Sequence, residues 1–140
     1  MPATSTITIR DIDHVVIRAR DIAAMTAFYC DVLGMALAKR NLKAGIVHLR
    51  AGRSMVDLMP ISGDLATLGP ALDPGQRNMD HFCLRVEPFD ERAILAALAA
   101  HGVDAAAPVM RFGAEGDGRS IYLKDPEGNT VELKGPSTPT

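Results

Sequence analysis

Two histidines, His14 and His81, stand near the heads of the runs IDHVVIR (residues 12–18) and MDHFCLR (79–85), which share Asp-His, three mostly apolar residues and Arg. Imidazole is the commonest metal ligand among side chains, and with a second imidazole and carboxylates it suits a divalent transition metal. Whether such partners are at hand depends on which faces of the strands the residues occupy. Side chains alternate across a strand, so each run divides into two faces. Val15 and Ile17 oppose His14, Val16 and Arg18, while Phe82, Leu84 and Val86 oppose His81, Cys83 and Arg85. In SMVDLM (54–59), Val56 and Leu58 oppose Met55, Asp57 and Met59. In RSIYLK (119–124), Ile121 and Leu123 oppose Ser120, Tyr122 and Lys124; in NTVELK (129–134), Val131 and Leu133 oppose Thr130, Glu132 and Lys134. His14, Asp57, His81, Tyr122 and Glu132 are therefore expected on a polar face turned away from the helices, and alternation in GIVHLR (45–50) adds His48. A lone histidine on a sheet face is more often a hydrogen-bonded core residue. The pairs His14 with Asp57 and His81 with Glu132, at matching positions of a repeat, favour a metal site instead.

That repeat has a period of about 67 residues, and the same order of elements follows each histidine. After the first, Asp21 suits a helix N-cap, Ile22, Met25, Phe28, Tyr29, Val32 and Leu33 recur at helical spacing, and Gly34 supplies a stop. After the second, Asp90 caps a helix with Ile94, Leu95, Ala97 and Leu98 on its apolar stripe, ended by Gly102. Strand candidates follow near 35–40, 45–50 and 54–59 in one half and near 104–109, 119–124 and 129–134 in the other. DPEGN (125–129) carries the chemistry of a tight turn between the last two runs. The reading is an α+β fold of two βαβββ modules, about 10–61 and about 78–135, with a curved mixed sheet whose halves bring the polar face together. Residues 62–77, rich in Gly and Pro, make the connection with room for one helical turn, and 1–140 is one domain.

Composition narrows the class further. The chain has 140 residues, 47% hydrophobic and 23% charged, with a net charge of −2. A domain of this size buries enough surface to fold without staples. Without a basic excess, nucleic acid is not an expected partner. No apolar run approaches the ~20 residues that a membrane span needs, and MPATSTIT lacks the pattern of a signal peptide, so a cytoplasmic location is expected. Cys30 and Cys83 form no CxxC pair and are read as reduced core residues.

Three runs resemble the vicinal oxygen chelate superfamily of glyoxalase I, extradiol ring-cleaving dioxygenases, fosfomycin-resistance enzymes and bleomycin-binding proteins. They are IDHVVIRARDIAAMTAFYCDVLGM (12–35), MDHFCLRV (79–86) and SIYLKDPEGNTVELK (120–134), with DPEGNTVEL the most specific part. The resemblance spans residues 10 to 135 and implies paired modules forming a U-shaped sheet around a cavity, with one divalent metal held by His14, His81 and Glu132; Asp57, on the same face, is a fourth candidate ligand. Zn²⁺, Ni²⁺, Mn²⁺ and Fe²⁺ are all compatible.

The resemblance implies a lyase or isomerase that works on a small oxygen-chelating substrate through a metal-stabilised enediolate, with Glu132 or Asp57 moving the proton. FYCDVLGM resembles the first helix of glyoxalase I, and Arg18 matches a position that binds a glutathione carboxylate there. Asp57 stands where that enzyme has a glutamate, one methylene longer. The stretch 108–133 is similar to glyoxalase-domain proteins of unassigned substrate. Tyr122, ten residues before Glu132, matches the active-site tyrosine of extradiol dioxygenases, which is the alternative reading; a non-catalytic binding or resistance protein is another. Arg18, Arg85, Arg111, Arg119 and His48 are candidates for substrate binding, suited to an anionic small molecule, and the loop 110–119 is a candidate lid or, equally, an ordinary surface hairpin. Superfamily members of this length commonly pair, and open sheet edges invite a partner, so a homodimer is expected.

Overall fold

The computed structural model describes residues 11–61, 79 and 81–138. The connection read at 62–77 and Asp80 of the second Asp-His pair lie outside the described residues. The chain runs β1 (His14–Ala19), α1 (Ile22–Ala27) continued by a π-helical turn (Phe28–Val32), β2 (Ala36–Asn41), β3 (Ile46–Ala51) and β4 (Ser54–Pro60). It then runs β5 (His81–Arg85), α2 (Glu91–Ala100), β6 (Val109–Gly113), β7 (Gly116–Lys124) and β8 (Thr130–Ser137). Each module is a four-stranded mixed sheet, ordered β1-β4-β3-β2 and β5-β8-β7-β6. In each, the first strand pairs parallel with the last and the rest pair antiparallel. The parallel pair is possible because the helix between its strands provides the crossover.

Helix starts follow the sequence signals. Asp21 and Asp90 have extended backbones and accept hydrogen bonds from the amides of Ala24 and Ala93, at 2.9 and 3.1 Å. Gly34 and Gly102 end the helical segments with φ of 77° and 72°, a left-handed conformation that costs glycine little. The apolar faces meet in one core where Ile17, Met25, Tyr29, Leu49, Val56, Leu58, Ile121 and Val131 are all but inaccessible. Full burial of each large aliphatic side chain contributes roughly 1.5–3 kcal/mol. Among the described residues no helix is long and apolar enough to cross a membrane.

Three sequence expectations change. The strand expected near 104–109 contributes only a bridge from Ala105 to Leu123, and the paired strand begins at Val109. Pro108, which has no amide hydrogen, separates the two. The supposed lid at 110–119 is mostly strand: β6 and β7 form a hairpin paired from Val109–Ser120 to Gly113–Gly116. Cys83 does not join the core; it is exposed on the polar face, while Cys30 is half-buried.

The modules are tied together on the helix side. The Tyr29 hydroxyl donates to Asp125 Oδ2 at 2.8 Å, and its ring stacks on Phe82 with centroids 6.2 Å apart. Backbone amides of Arg20 and Asp21 donate to the Glu127 carboxylate at 2.8 and 2.7 Å. Asp125 also accepts from the Glu127 and Asn129 amides and from Asn129 Nδ2. The DPEGN turn thus locks one module to the other as well as linking β7 to β8.

Candidate functional site

The polar face of the first module is built around β4, which lies between β1 and β3. Asp57 pairs in register with Val16 on one side and His48 on the other, and His14 is the partner of Met55. His48 Nδ1 lies 2.9 Å from Asp57 Oδ1, close enough for an ion pair. Yet Oδ1 is buried with no hydrogen-bond partner among the described residues, so proximity to His48 comes without an aligned N–H. A buried carboxylate oxygen in that position is poised for a proton or a cation. His14 Nδ1 lies 2.8 Å from Asp13 Oδ2, which leaves Nε2 as the nitrogen available to a ligand. The His14 pKa is raised, first by the bond to Asp13, then opposed by loss of solvent, and raised further by the charges of Asp57 and Asp13.

On the second module, Glu132 pairs in register with Cys83 on β5 and with Tyr122 on β7. The carboxylate is almost wholly buried; Ser120 Oγ donates to its Oε2 at 2.7 Å, and His81 Nε2 lies 3.4 Å from its Oε1. The Tyr122 ring meets His81 edge to face with centroids 6.0 Å apart. Loss of solvent raises the Tyr122 pKa, with help from Glu132 and opposition from Arg111. The Cys83 thiol is pushed up to about 12 by loss of solvent around it and by the neighbouring Glu132 carboxylate, and so stays protonated at neutral pH.

The arginines expected to bind substrate have different fates. Arg18 donates from Nε and Nη2 to the carbonyls of Pro60 and Ile61, at 3.1 and 3.3 Å, which anchors the end of β4. Arg85 is engaged by Glu115 at 2.5 Å and Glu87 at 3.1 Å. Arg111 donates from Nε to the Tyr122 hydroxyl at 3.2 Å and lies over that ring at 5.7 Å, beside the polar face. Arg119 is not brought to that face; it pairs with Glu91 at 2.6 Å, at the start of α2. Because β7 begins at Gly116, Arg119 follows strand alternation and shares the helix side with Ile121 and Leu123.

His14, Asp57 and His48 thus gather on one module, and His81, Glu132 and Tyr122 on the other. Among the described residues of a single chain, no three His, Cys, Asp or Glu side chains come together as a metal-holding group. The site expected as one cluster is present as two half-sites of like composition, an imidazole with a carboxylate on each. Their chemistry fits a divalent metal: nitrogen and oxygen donors, Glu132 Oε1 close to an imidazole, and a buried oxygen of Asp57 without an aligned donor. Sequence reasoning passed over two supporting residues, Asp13 and Ser120. The repeated Asp-His dipeptide was the signal for the first, and alternation, which places Ser120 on the face of Glu132, was the signal for the second.

The family model of the Glyoxalase/Bleomycin resistance protein/Dioxygenase superfamily matches residues 11–133. The virulence protein STM3117 of Salmonella typhimurium is 30% identical over 125 residues, covering 87% of this chain and 81% of that protein. An integron cassette protein from the mobile metagenome of V. Cholerae superposes with a TM-score of 0.79 at 27% identity, over 95% of this chain and 100% of the other. Lactoylglutathione lyase from Agrobacterium tumefaciens superposes with a TM-score of 0.65 at 25% identity, over 89% of this chain and 92% of that one.

Proposed function

Since the chain belongs to the Glyoxalase/Bleomycin resistance protein/Dioxygenase superfamily, we propose that it is a glyoxalase-like lyase or isomerase acting on a small oxygen-chelating substrate, with its metal site shared between two copies of the chain. The observation that carries this reading is the pair of half-sites: each polar face holds a buried carboxylate with imidazole on the same face, His14 and His48 for Asp57 and His81 for Glu132, and among the described residues neither face forms a group of three that could hold a metal. A homodimer in which the polar face of one module meets the other module of a second copy brings His14 and Asp57 to His81 and Glu132. A divalent ion held there would supply Lewis-acid stabilisation for negative charge developing on two neighbouring substrate oxygens.

The chain's own residues divide the remaining work. Ser120 fixes Glu132 through Oε2, so Glu132 is suited to holding rather than to moving protons. Asp57 Oδ1 has no aligned donor among the described residues, so it stands open to accept a proton from the substrate carbon. His48 Nδ1, 2.9 Å away, is the next station for that proton. Tyr122, braced by Arg111, offers a hydroxyl beside Glu132 to orient a substrate oxygen.

The test joins elemental analysis of the purified chain with turnover of glutathione–methylglyoxal hemithioacetal in the presence of Ni²⁺, Zn²⁺, Mn²⁺ or Fe²⁺. Loss of turnover in Asp57→Asn, with retention in Asp57→Glu, supports the isomerase. The Tyr122–Arg111 contact favours a second reading, ring-cleaving dioxygenation: catechol-dependent oxygen uptake that survives Asp57→Asn and falls in Tyr122→Phe would replace the first. Subunit sharing is tested by mixing His14→Ala with His81→Ala, because mixed dimers regain one intact site. Light scattering that gives a monomer at micromolar concentration removes the shared site.

A further inference from the structure

The tip of the β6–β7 hairpin is clamped onto the polar face of the second module, next to the His81–Glu132 half-site. Arg85 and Lys134 are register partners on β5 and β8, so a guanidinium and an ammonium stand side by side there. Lys134 is 5% exposed, and its one hydrogen-bond acceptor among the described residues is the Gly116 carbonyl at 3.0 Å. An ammonium has three donors, so this buried cation is under-satisfied. Arg85 Nε is held by Glu115 Oε1 at 2.5 Å, and Glu115 sits at the hairpin tip between Gly113 and Gly116. The close approach depends on glycine. A β-carbon at Gly113 would lie 2.8 Å from Lys134 Cε, and one at Gly118 would lie 2.8 Å from Lys134 Nζ and 2.5 Å from the Pro136 carbonyl.

We propose that Arg85 and Lys134 form an anion subsite that Glu115 fills from within the chain, and that the carboxylate or phosphate of an anionic substrate displaces Glu115 and lifts the hairpin tip. The assignment rests on the placing of the metal half-site at His81 and Glu132. At ~3.3 Å per strand residue, Lys134 stands about 7 Å along β8 from Glu132, and Arg85 about 13 Å along β5 from His81. The substrate class is therefore a compact molecule that carries an anionic group a few bonds from its chelating oxygens. The Arg85 side chain is 32% exposed and that of Glu115 55%, so the exchange needs no opening of the core.

The experiment measures binding of inorganic phosphate and of malonate to the metal-free full-length chain by calorimetry, at low ionic strength. Glu115→Gln removes the competing charge and is expected to tighten binding of one probe by about twofold to fivefold, the scale of a partly exposed ion pair. Which probe gains tells phosphate from carboxylate recognition. Adding Arg85→Gln to Glu115→Gln is expected to abolish the gain. Unchanged affinity in Glu115→Gln overturns the proposal and makes the contact a hairpin brace. A gain that survives in the double variant also overturns it, because the anion then binds elsewhere. Neither result depends on metal binding, so a failure here is distinguishable from a failure of the metal-site reading.

Discussion

The two modules share a strand order and begin their first strands with histidine, but they treat their carboxylates in opposite ways. Glu132 accepts from Ser120 at 2.7 Å through Oε2, and His81 Nε2 lies 3.4 Å from its Oε1. Asp57 is buried to nearly the same degree, yet its Oδ1 has no aligned donor although His48 is 2.9 Å away. Their histidines differ as well. His14 is braced through Nδ1 by its chain neighbour Asp13, whereas His81 leans through Nε2 toward a carboxylate on a strand far along the chain. A fixed carboxylate holds geometry and one with an open oxygen can accept a proton, so a repeat can assign holding to one half and proton transfer to the other.

The largest expected effect on metal binding falls on the fixed half. His81→Ala removes half of its donor pair, and metal affinity measured by competition with a chelator should drop about 100-fold or more, beyond the 10–100-fold usual for supporting residues. Retained metal stoichiometry in that variant would dissolve the comparison altogether. Asp57→Asn should leave metal content largely intact while turnover falls about 10²–10⁴-fold, the range of a lost general base. Metal loss as large as that of His81→Ala would show the two carboxylates to be equivalent ligands.

Smaller changes sharpen the distinction. Ser120→Ala strips Glu132 of its donor and should weaken metal binding about tenfold and lower stability by about 1–3 kcal/mol, read by chelator competition and urea denaturation. The smallest effect belongs to Asp13→Asn. Because the Asp13 carboxylate favours the imidazolium, His14 titrates above its ordinary value of 6.5, and the variant should move the NMR titration of that ring downward. The sign for folding follows from linkage. The pair's contribution is fully present below the unfolded pKa and is lost as pH rises through the raised folded value. A His14 titration unmoved by Asp13→Asn would mean that the ring is oriented by something else.

Local chain geometry explains which features were legible. Both N-caps, both glycine stops and the faces of β1, β4, β5 and β8 follow from periodicity within a few residues, and those faces placed His14, Asp57, His81 and Glu132 correctly on the polar side. The alternation of RSIYLK already set Arg119 on the side of Ile121 and Leu123, but its partner Glu91 lies on a helix that no strand pattern points to. The neutralisation of Arg85 by Glu115 was hidden, because it joins residues 30 positions apart across a hairpin whose seating on the sheet is not a local pattern. Cys83 was read as core from its residue type, although its place beside Arg85 already put it on the polar face.

The sequence by itself determined the repeat, the βαβββ order of each module and the membership of two imidazole–carboxylate pairs, because strand alternation and helix capping act over a few residues. Only the tertiary structure decided how those pairs are used. That the four ligand candidates stand as two half-sites, that one carboxylate oxygen is saturated and another is not, and that a glutamate from a hairpin tip occupies the arginine beside them are consequences of chain segments meeting across long separations. Burial and alignment of polar atoms arise from such meetings, and no local pattern of residue types encodes them.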